Sequence, residues 1–365
     1  MQANIKSSPS DRPRVVIAVS GGVDSSVAAA LLLEQGYDVV GMMLRLWSEP
    51  GTQASNRCCT PESMGLARRV AAKLGIPFYA IDIQENFRQI IVEYFVDGYA
   101  QGITPNPCLI CNRQIRFGLL LERALAIDAD YLATGHYARL DTGPDHKIRL
   151  LRGVDPAKDQ SYVLSVLNQN QLGHALFPVG IYPKQEVRAL ADKYQLPVAD
   201  RADSQDLCFL AGDDYRNFLF RNRPDIYQNG MIRNRQGERL GEHTGLANYT
   251  IGQRKGLGIQ SQVPLYVIEK DMATNSLIVG EGNELGRQEL LAGPVNWVSG
   301  EPPPEPIQTE VKIRYKALEA RGMLTPLQDQ MVRVHFDTDL RDITPGQSAV
   351  FYQGEVCLGG GVIQN

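Results

Sequence analysis

The sequence predicts an α/β protein with three parts: an N-terminal doubly wound parallel sheet, a small central domain and a C-terminal all-β barrel. Strand-like apolar runs alternate with helical patterns up to about residue 210. A short basic, glycine-rich section follows, and from about residue 285 short β-rich runs are separated by turn residues. We therefore expect domains over residues 1–213, 214–284 and 285–365.

The N-terminal alternation begins with RVVIAVS at 14–20, an apolar run rich in β-branched residues that is typical of a buried strand. Asp24 and Ser25 are residue types that cap helices, and a helix is predicted to follow and to end at Gly36. Because strands and helices alternate, the sheet should be parallel with helices on both faces. The further predicted strands are 37–47 and 77–83, and the stretch 129–140 is predicted to be a strand running into a loop. The further predicted helices are 64–75 and 115–128.

The second half of the chain changes character. Residues 214–260 hold eight Lys or Arg against four Asp or Glu, a local net charge of about +4. Beyond them, the runs VKIRY, VRVHF and SAVFY are separated by turn residues, which is typical of a small barrel or sandwich. The proline-rich stretch 300–306 is predicted to be a stiff surface loop.

Composition places the chain in the ordinary globular class. Its 365 residues are 43% hydrophobic and 21% charged, and its formal charge of −4 offers no overall positive field for nucleic acid, although a local basic face is compatible with it. The polar N-terminus does not resemble a secretory signal, and the longest apolar run is too short for a membrane span. We expect a cytoplasmic protein, in which six cysteines are packing residues, metal ligands or reactive thiols.

The segment AVSGGVDSS at 18–26 lies where a predicted strand passes into a helix. Gly21 and Gly22 can adopt positive φ and let a phosphate approach the backbone, while the serine hydroxyls and the helix N-terminus favour an anion. The segment lacks the ending of a Walker A motif and the GxGxxG of a dinucleotide fold. It resembles the SGGxDS loop (PP-loop) of ATP pyrophosphatases, which cleave ATP between the α and β phosphates and adenylate a carbonyl oxygen.

Asp24 has two candidate roles within this segment. It is a possible ligand for Mg²⁺, or it simply caps the helix. A plain glycine-serine turn joining strand to helix is the alternative for the segment as a whole.

Two cysteine-bearing stretches follow. TPNPCLICNRQIRF at 104–117 holds Cys108 and Cys111, and ADSQDLCFL at 202–210 holds Cys208. Together with ATGHYARL, KDQSYVL, YTIGQRKGLGI and PGQSAVFY, they closely resemble the tRNA-specific 2-thiouridylase family of PP-loop enzymes. The resemblance runs in the family's order from about residue 14 to the C-terminus.

This resemblance implies a two-stage chemistry. ATP adenylates O2 of the wobble uridine in the anticodon loop, and a persulfide on Cys208 then delivers sulfur to C2 and displaces AMP. Cys111 matches the second catalytic cysteine, which either attacks the persulfide to release sulfide or resolves it as a disulfide with Cys208. The two thiols must be able to meet, and the site must exclude water from the adenylate.

The resemblance also implies binding positions. ATP would be bound by Ala18, Val19, Ser20, Gly21, Gly22, Val23, Asp24 and Ser25, with Leu44 and Gly135 near the adenine or ribose. The target base would face Asn106, Pro107 and Cys108, and tRNA would contact His136, Lys158, Asp159, Gln160, Arg314, Tyr315 and Gln347. The ordinary alternatives are a satisfied polar residue at a strand end for His136 and a solvated charge on a strand for Arg314.

Cys108 departs from the family's pattern, in which an acid assigned as general acid/base commonly stands three residues before Cys111. A thiol moves protons near neutral pH only when its pKa is lowered. Either another group serves as the base, or Cys108, Cys111 and Cys208 hold an iron–sulfur cluster such as [4Fe–4S], with one iron open to sulfide, as in related thiolases. A structural zinc site is disfavoured because Cys58 and Cys59 are adjacent and Cys357 stands alone.

Partners follow from the same resemblance: tRNA with Lys, Glu or Gln acceptors, and a sulfur-relay protein or cysteine desulfurase as sulfur donor. Two other functions are weighed. A synthetase that adenylates a small metabolite would explain the loop but neither the cysteines nor the basic middle and β-rich end. An RNA-binding module with a vestigial loop conflicts with the intact SGGVDSS and the two cysteines.

Overall fold

The structure is a computed structural model that describes residues 12–51, 60–202, 207–210 and 212–364. Cys58 and Cys59, which were considered as zinc ligands, lie outside the described residues. The chain divides into two compact units. The first contains the described residues of Met1–Ile90, Cys108–Gly212 and Glu355–Cys357, and the second those of Ile91–Pro107, Asp213–Gly354 and Leu358–Asn365.

The first unit is built on a five-stranded parallel sheet, in the order β3-β2-β1-β4-β7, which confirms the predicted α/β class. Its central strand is wholly buried at Val15, Val16 and Ile17, as its β-branched sequence requires. Two further strands, β5 and β6, form an antiparallel hairpin. The strands of this unit are β1 Arg14–Ala18, β2 Asp38–Arg45, β3 Phe78–Asp82, β4 Tyr131–Ala133, β5 Ala138–Thr142, β6 Ile148–Arg152 and β7 Ala175–Leu176.

The stretch 129–140, predicted to be a strand running into a loop, contains a strand, a connection and the start of a second strand. β4 ends at Ala133 and pairs with β1, whereas β5 begins at Ala138 and pairs with β6. The residues between them pass the start of the first helix, where Gly135 lies against the helix backbone. This tertiary contact is invisible to the hydrophobic pattern.

The helices of the described chain come next. They are α1 Val23–Glu34, α2 Pro61–Leu74, α3 Gln84–Phe87, α4 Glu93–Ala100, α5 Pro107–Ile110, α6 Leu121–Leu125, α7 Ser161–Leu164, α8 Gln169–Gly173, α9 Lys184–Lys193 and α10 Tyr215–Asn222. Two π-helical stretches occur at Arg88–Val92 and Cys111–Leu120, and a short 3-10 helix at Cys208–Leu210. The helix predicted over 115–128 therefore starts earlier, is wound as a π-helix, and ends in α6 at Leu125.

Helix α1 begins at Val23, two residues earlier than a cap by Asp24 would place its start. Its N-cap is Gly22, which makes no side-chain capping bond, so the expectation that Asp24 caps this helix is wrong. Helix α2, by contrast, is capped by Thr60, whose hydroxyl accepts from the Ser63 N–H at 3.0 Å. Helix α1 packs against β1, β2 and α9, which explains why its residues 27–32 are all buried.

The second unit holds two sheets. The strands are β8 Gly230–Arg233, β9 Arg239–His243, β10 Tyr266–Asp271, β11 Ser276–Gly280, β12 Arg287–Ala292, β13 Asn296–Trp297, β14 Ile307–Lys312, β15 Ala320–Pro326, β16 Val332–Leu340, β17 Ser348–Gln353 and β18 Val356–Val362. The central sheet has the order β10-β11-β8-β9, and the C-terminal sheet runs β12-β16-β15-β14-β17-β18 with β13 paired to β18. The all-β character of this end of the chain is thus confirmed.

Strand β16 shows why these segments become strands. Val332, Val334 and Phe336 are buried while the residues between them are exposed, the alternation expected of a sheet with one covered face. Strand β18 starts among residues of the first unit, where Val356 and Cys357 pair with β6. Over the described ranges, no helix combines the length and apolar character that a membrane crossing needs.

Candidate functional site

The segment AVSGGVDSS at 18–26, called the phosphate loop for its resemblance to the PP-loop, forms the turn between β1 and α1. Gly21 has φ +70°, whereas Gly22 is extended at φ −96°, so only the first of the two predicted glycines adopts positive φ. A Cβ at Gly21 would lie 2.6 Å from the Ser63 carbonyl oxygen, which leaves no room for a side chain. The loop therefore depends on glycine for both backbone conformation and space.

The three serine hydroxyls of the loop differ in hydrogen bonding and exposure. Ser25 Oγ accepts from the Ser20 N–H at 3.2 Å and lies 3.1 Å from Ser20 Oγ. Ser26 is fully buried and donates to the Gly22 carbonyl at 2.7 Å. Ser20 is exposed, so of the three hydroxyls it is the one that faces solvent beside the N-terminus of α1.

Asp24 is held by two donors. Tyr137 Oη donates to Asp24 Oδ1 at 2.6 Å, and Lys184 Nζ donates to the same oxygen at 2.7 Å. Side-chain exposure is 11% for Lys184 and 32% for Asp24, so this is a partly buried ion pair. The carboxylate stands in the first turn of α1, where the helix dipole also favours negative charge.

Arg201 supports the other side of the loop. Its Nη1 donates to the Gly21 carbonyl at 2.6 Å and its Nη2 to Ser63 Oγ at 2.8 Å. The guanidinium therefore ties the loop to the start of α2. A cleft of about 390 Å³, lined by residues of α2 and the segment before Arg201, adjoins this position.

Gly135 lies directly on the phosphate loop. A Cβ there would be 2.6 Å from the Ser25 nitrogen and 2.8 Å from the Asp24 carbonyl carbon. Leu44 lies near the C-terminal end of β2, half-buried, and pairs in register with Ile81. The structure thus places Gly135 at the loop, while contacts of both residues with ATP stay predictions.

His136 is buried and contacts the π-helix that carries Cys111. Its Nδ1 lies 2.7 Å from Thr134 Oγ1, and its Nε2 lies 3.1 Å from Nη1 of Arg116. Because a guanidinium can only donate, Nε2 must accept and Nδ1 carries the proton. Burial, and after it the Arg116 charge, hold the pKa of His136 well below its ordinary value, so the imidazole is neutral.

Asp159 and Gln160 are engaged inside the first unit. Asp159 is buried and accepts from the Gly153 and Ser161 N–H groups at 3.0 and 3.1 Å. Gln160 Oε1 accepts from the Tyr137 N–H at 2.9 Å. This bond positions Tyr137, whose hydroxyl donates to Asp24. Lys158 precedes them, half-buried. Their predicted contacts with tRNA stay predictions, but Gln160 also has a structural role.

The cysteines of the site differ in exposure. Cys108 is exposed in α5, whereas Cys111, at the start of the π-helix, and Cys208, in the 3-10 helix, are half-buried. Next to Cys208, Phe209 is buried and packs edge-on against Phe87 at 6.2 Å between ring centroids. Within the described ranges, no cluster of three or more His, Cys, Asp or Glu side chains could hold a metal ion.

In the second unit, the segment before Cys108 is held by the loop before β17. Gln347 Nε2 donates to the Thr104 carbonyl at 2.9 Å, and the Thr104 N–H donates to the Pro345 carbonyl at 3.0 Å. The backbone of Asn106 is hydrogen-bonded to the hydroxyl of Tyr94, whose pKa is raised by burial. Gln347 therefore shapes the segment that carries Asn106 and Pro107, the residues predicted to face the target base.

Arg314 and Tyr315 come after the end of β14 at Lys312. The alternative for Arg314, a solvated charge on a strand, therefore places it wrongly. Arg314 Nη2 donates to the Ile251 carbonyl at 3.0 Å and also to Thr344 Oγ1, so it is not simply a solvated charge. Tyr315 is exposed, with Lys312 Nζ 5.9 Å from its ring centroid.

Sequence reasoning missed four residues at this site: Tyr137, Lys184, Arg201 and Arg116. Tyr137, Lys184 and Arg201 reach their partners across more than a hundred positions. Arg116 reaches His136 from another element. Tyr137 does lie in the motif ATGHYARL and Arg116 in TPNPCLICNRQIRF, and these two motifs were the available signals.

Three family models match the chain. The tRNA methyl transferase HUP domain covers residues 13–212, the tRNA methyl transferase PRC-barrel domain residues 216–281, and the aminomethyltransferase beta-barrel domain residues 287–363. The first match alone spans more than half of the chain.

Full-length relatives are also similar. The chain is 48% identical over 355 residues to tRNA-specific 2-thiouridylase MnmA 1 of Caldanaerobacter subterraneus subsp. tengcongensis, covering 96% of this chain and 98% of that protein. It is 48% identical over 366 residues to the MnmA of Roseiflexus castenholzii, covering 96% and 99%. The MnmA of Magnetococcus marinus is 46% identical over 352 residues, covering 96% and 98%. The family models bear methyltransferase names and these proteins thiouridylase names; we follow the latter, because those matches span both chains almost completely.

Proposed function

The chain belongs to the tRNA-specific 2-thiouridylase family, and we propose that it is an ATP-dependent tRNA-uridine 2-sulfurtransferase. It converts the wobble uridine of tRNA into 2-thiouridine and forms AMP and pyrophosphate. The observation that carries this proposal is that one compact unit contains both the SGGVDSS loop and the thiols Cys111 and Cys208.

The first step activates the base. O2 of uridine attacks the α phosphorus of ATP, the bond between that phosphorus and the bridging oxygen to the β phosphate breaks, and pyrophosphate leaves. The backbone of residues 20–25 and the N-terminus of α1 supply N–H groups suited to phosphate oxygens. Without this step, O2 of a pyrimidine is a poor leaving group.

Mg²⁺ fits this site by donor chemistry, since it prefers a carboxylate together with substrate phosphates. Asp24 would hold it, because both protein donors bind Oδ1 and the side chain is partly exposed. When bound, the ion neutralises phosphate charge.

The second step transfers sulfur. The terminal sulfur of a persulfide on Cys208 attacks C2, and AMP departs with the former O2. The Cys111 thiolate then attacks the Cys208 sulfur, which leaves 2-thiouridine on the tRNA and a Cys111–Cys208 disulfide. In the alternative order, Cys111 attacks the persulfide first and the released sulfide attacks C2. Both orders end in the same disulfide, which a thiol reductant must reduce before the next cycle.

Cys108 occupies the family's acid position and is exposed in α5. The described part of the chain offers no three-ligand set for a metal ion, and the proposed steps use no iron–sulfur cluster. We propose instead that Cys108 faces the target base with Asn106 and Pro107.

Binding of tRNA in this proposal uses the anticodon loop of Lys, Glu or Gln acceptors. Loop bases are splayed out at low cost, so a flipped wobble uridine can enter the site. His136, Lys158, Asp159, Gln160, Arg314, Tyr315 and Gln347 are the proposed tRNA contacts. A sulfur-relay protein or cysteine desulfurase loads Cys208.

The test is nucleoside mass spectrometry of tRNA after incubation with ATP, a persulfide source and the protein. We expect 2-thiouridine with the native chain and none with Cys208→Ser, while tRNA binding by the variant persists. Cys357→Ala removes a buried thiol from β18 and is the matched control, with thiolation retained. Thiolation by Cys208→Ser, or ATP turnover that ignores tRNA and rises with a small metabolite, would contradict the proposal.

A further inference from the structure

The phosphate loop contains no positively charged side chain. Residues 18–26 include neither Lys nor Arg, although the loop must receive a triphosphate. In a Walker A loop, a lysine within the motif reaches the β and γ phosphates. Here any cationic side chain that binds the phosphates must come from elsewhere in the fold.

Lys184 is brought to the loop from 160 positions away in the chain. Its ammonium lies 2.7 Å from Asp24 Oδ1 and 5.7 Å from the centroid of the Tyr137 ring. It is the first residue of α9, and its own N–H donates to Asp155 Oδ2 at 3.0 Å. Backbone and side chain are therefore both tethered, and the side chain, only 11% exposed, ends at the phosphate-binding end of α1.

Arg201, the other cation at the loop, is used differently. Both of its terminal nitrogens bind protein groups, the Gly21 carbonyl and Ser63 Oγ. The contacts of Arg201 fix the conformation of the loop backbone. The ammonium of Lys184 instead contacts the Asp24 carboxylate, in the first turn of α1, and lies near the ring of Tyr137.

We propose that Lys184 is the phosphate-binding lysine that the loop itself lacks. Asp24 and Tyr137 hold the ammonium at the N-terminus of α1, where it binds the β and γ phosphates of ATP. When the uridine oxygen attacks the α phosphorus, Lys184 neutralises the charge that develops on the departing pyrophosphate. This inference rests on the proposed function and adds a residue to its first step.

Such a role predicts discrimination between nucleotides. A charge-assisted hydrogen bond to a phosphate contributes about 10- to 100-fold in affinity. The contribution applies to ATP, which has the β and γ phosphates, and not to AMP, which lacks them. A residue that merely stabilised the loop would weaken the binding of both nucleotides alike.

The experiment measures, by calorimetric titration without tRNA, the Kd of AMP and of an ATP analogue with a methylene group between the α and β phosphorus atoms. Lys184→Gln removes the charge but keeps a hydrogen-bond donor for Asp24, and Lys184→Arg keeps the charge. We expect Lys184→Gln to weaken analogue binding about 10- to 100-fold and AMP binding less than about twofold. Lys184→Arg should restore most of the analogue's affinity.

Lys193→Gln is the matched control. It is the last residue of the same helix, its side chain is 60% exposed, and its partner is Glu34. Its nucleotide affinities should equal those of the native chain. Equal losses for analogue and AMP in Lys184→Gln, or unchanged analogue binding, overturn the inference. Because binding is measured without tRNA, failure of thiolation by the native chain is a separate outcome that tests the proposed function.

Discussion

Asp24 illustrates how the fold assigns a role to a single residue. In the sequence it is a polar residue within SGGVDSS, equally suited to cap a helix or to bind a metal ion. In the structure its carboxylate accepts from Tyr137 and Lys184, which lie 113 and 160 positions further along the chain. The capping role falls to Gly22, because α1 begins at Val23 and places Asp24 inside the first turn.

Cys108 and Cys111 are likewise distinguished by their surroundings in the fold. The resemblance of NPCLICN to family sequences marks both Cys108 and Cys111, but exposure differs between them. Cys111 is half-buried, as a thiol that must avoid bulk solvent should be, whereas Cys108 is exposed. Their roles in base binding and sulfur transfer stay predictions.

His136 should make stability depend on pH. Burial lowers its pKa in the folded state, so below about pH 6.5 the unfolded chain binds a proton that the folded chain does not. Its stabilising contribution is complete above about pH 6.5 and is lost as the pH falls, by at most about 1.4 kcal/mol per pH unit.

The measurement compares thermal unfolding of the native chain and His136→Asn at pH 7.5 and 5.5. The variant loses contacts with Thr134 and Arg116 and should be less stable at pH 7.5, by about 1–3 kcal/mol. The difference in Tm should narrow at pH 5.5, since the variant has no imidazole to protonate. A difference that is the same at both pH values would contradict the assignment of a neutral, buried histidine.

At the scale of elements, the turn from β1 into α1 is the part of the site that local pattern predicts best. A buried strand, a glycine pair and a helix follow one another within twenty residues, and each depends mainly on its neighbours in sequence. The close packing of this turn against α2 and the β4–β5 connection is tertiary, and it makes Gly21 and Gly135 indispensable.

Gly21→Ala should therefore lower the free energy of unfolding more than a substitution that only strains the backbone. Gly36, just beyond the other end of α1, also has positive φ (+89°), but a methyl group there would meet no atom within 4 Å, so Gly36→Ala is the matched control. We expect a cost of about 1 kcal/mol for Gly36→Ala.

For Gly21→Ala the methyl group would lie 2.6 Å from the Ser63 carbonyl, so the loss should be clearly larger, about 2–4 kcal/mol. Thermal unfolding measures both costs, and titration with ATP should show weaker binding for Gly21→Ala alone. Equal costs for the two variants would show that the loop relaxes away from α2.

The π-helix at Cys111–Leu120 is the element that pattern predicts least well. The apolar spacing of this segment is helical, but it does not distinguish a π-helix from an α-helix, and it places the start at residue 115 instead of 111. π-helical turns are common at functional sites, and this one carries Cys111 at its first position and Arg116 facing His136.

For the whole molecule, the distribution of charge differs from what the count of basic residues indicates. Six arginines of the predicted basic middle have a carboxylate within 4.0 Å in the second unit: Arg216, Arg221, Arg223, Arg233, Arg235 and Arg239. Across the described ranges no such ion pair involves Arg254 or Lys255, which are exposed in YTIGQRKGLGI. The surface available to RNA phosphates is therefore smaller than a charge of about +4 implies.

We predict that tRNA binding depends on salt through these two residues. Arg254→Gln and Lys255→Gln should each weaken binding at low salt and reduce the slope of log K against log salt by about 1. Arg239→Gln, which removes a cation already paired with Glu242, should change the slope much less. Filter binding between 50 and 200 mM salt, about the range over which such slopes are resolved, provides the measurement. A larger change for Arg239→Gln would place the phosphate contacts elsewhere in this segment.

Local pattern was enough to predict the parallel sheet, the glycine turn from β1 into α1, the β-rich C-terminal half and the family, because alternation, turn residues and motifs are properties of neighbouring residues. The boundaries proposed at residues 213 and 284 stay predictions. The tertiary structure decided which residues complete the site. Lys184, Arg201 and Tyr137 reach the loop only through contacts between residues more than a hundred positions apart, and the ion pair between Arg223 and Asp97 likewise joins distant segments. Such contacts leave no periodic signal in the sequence, since packing between distant segments sets them.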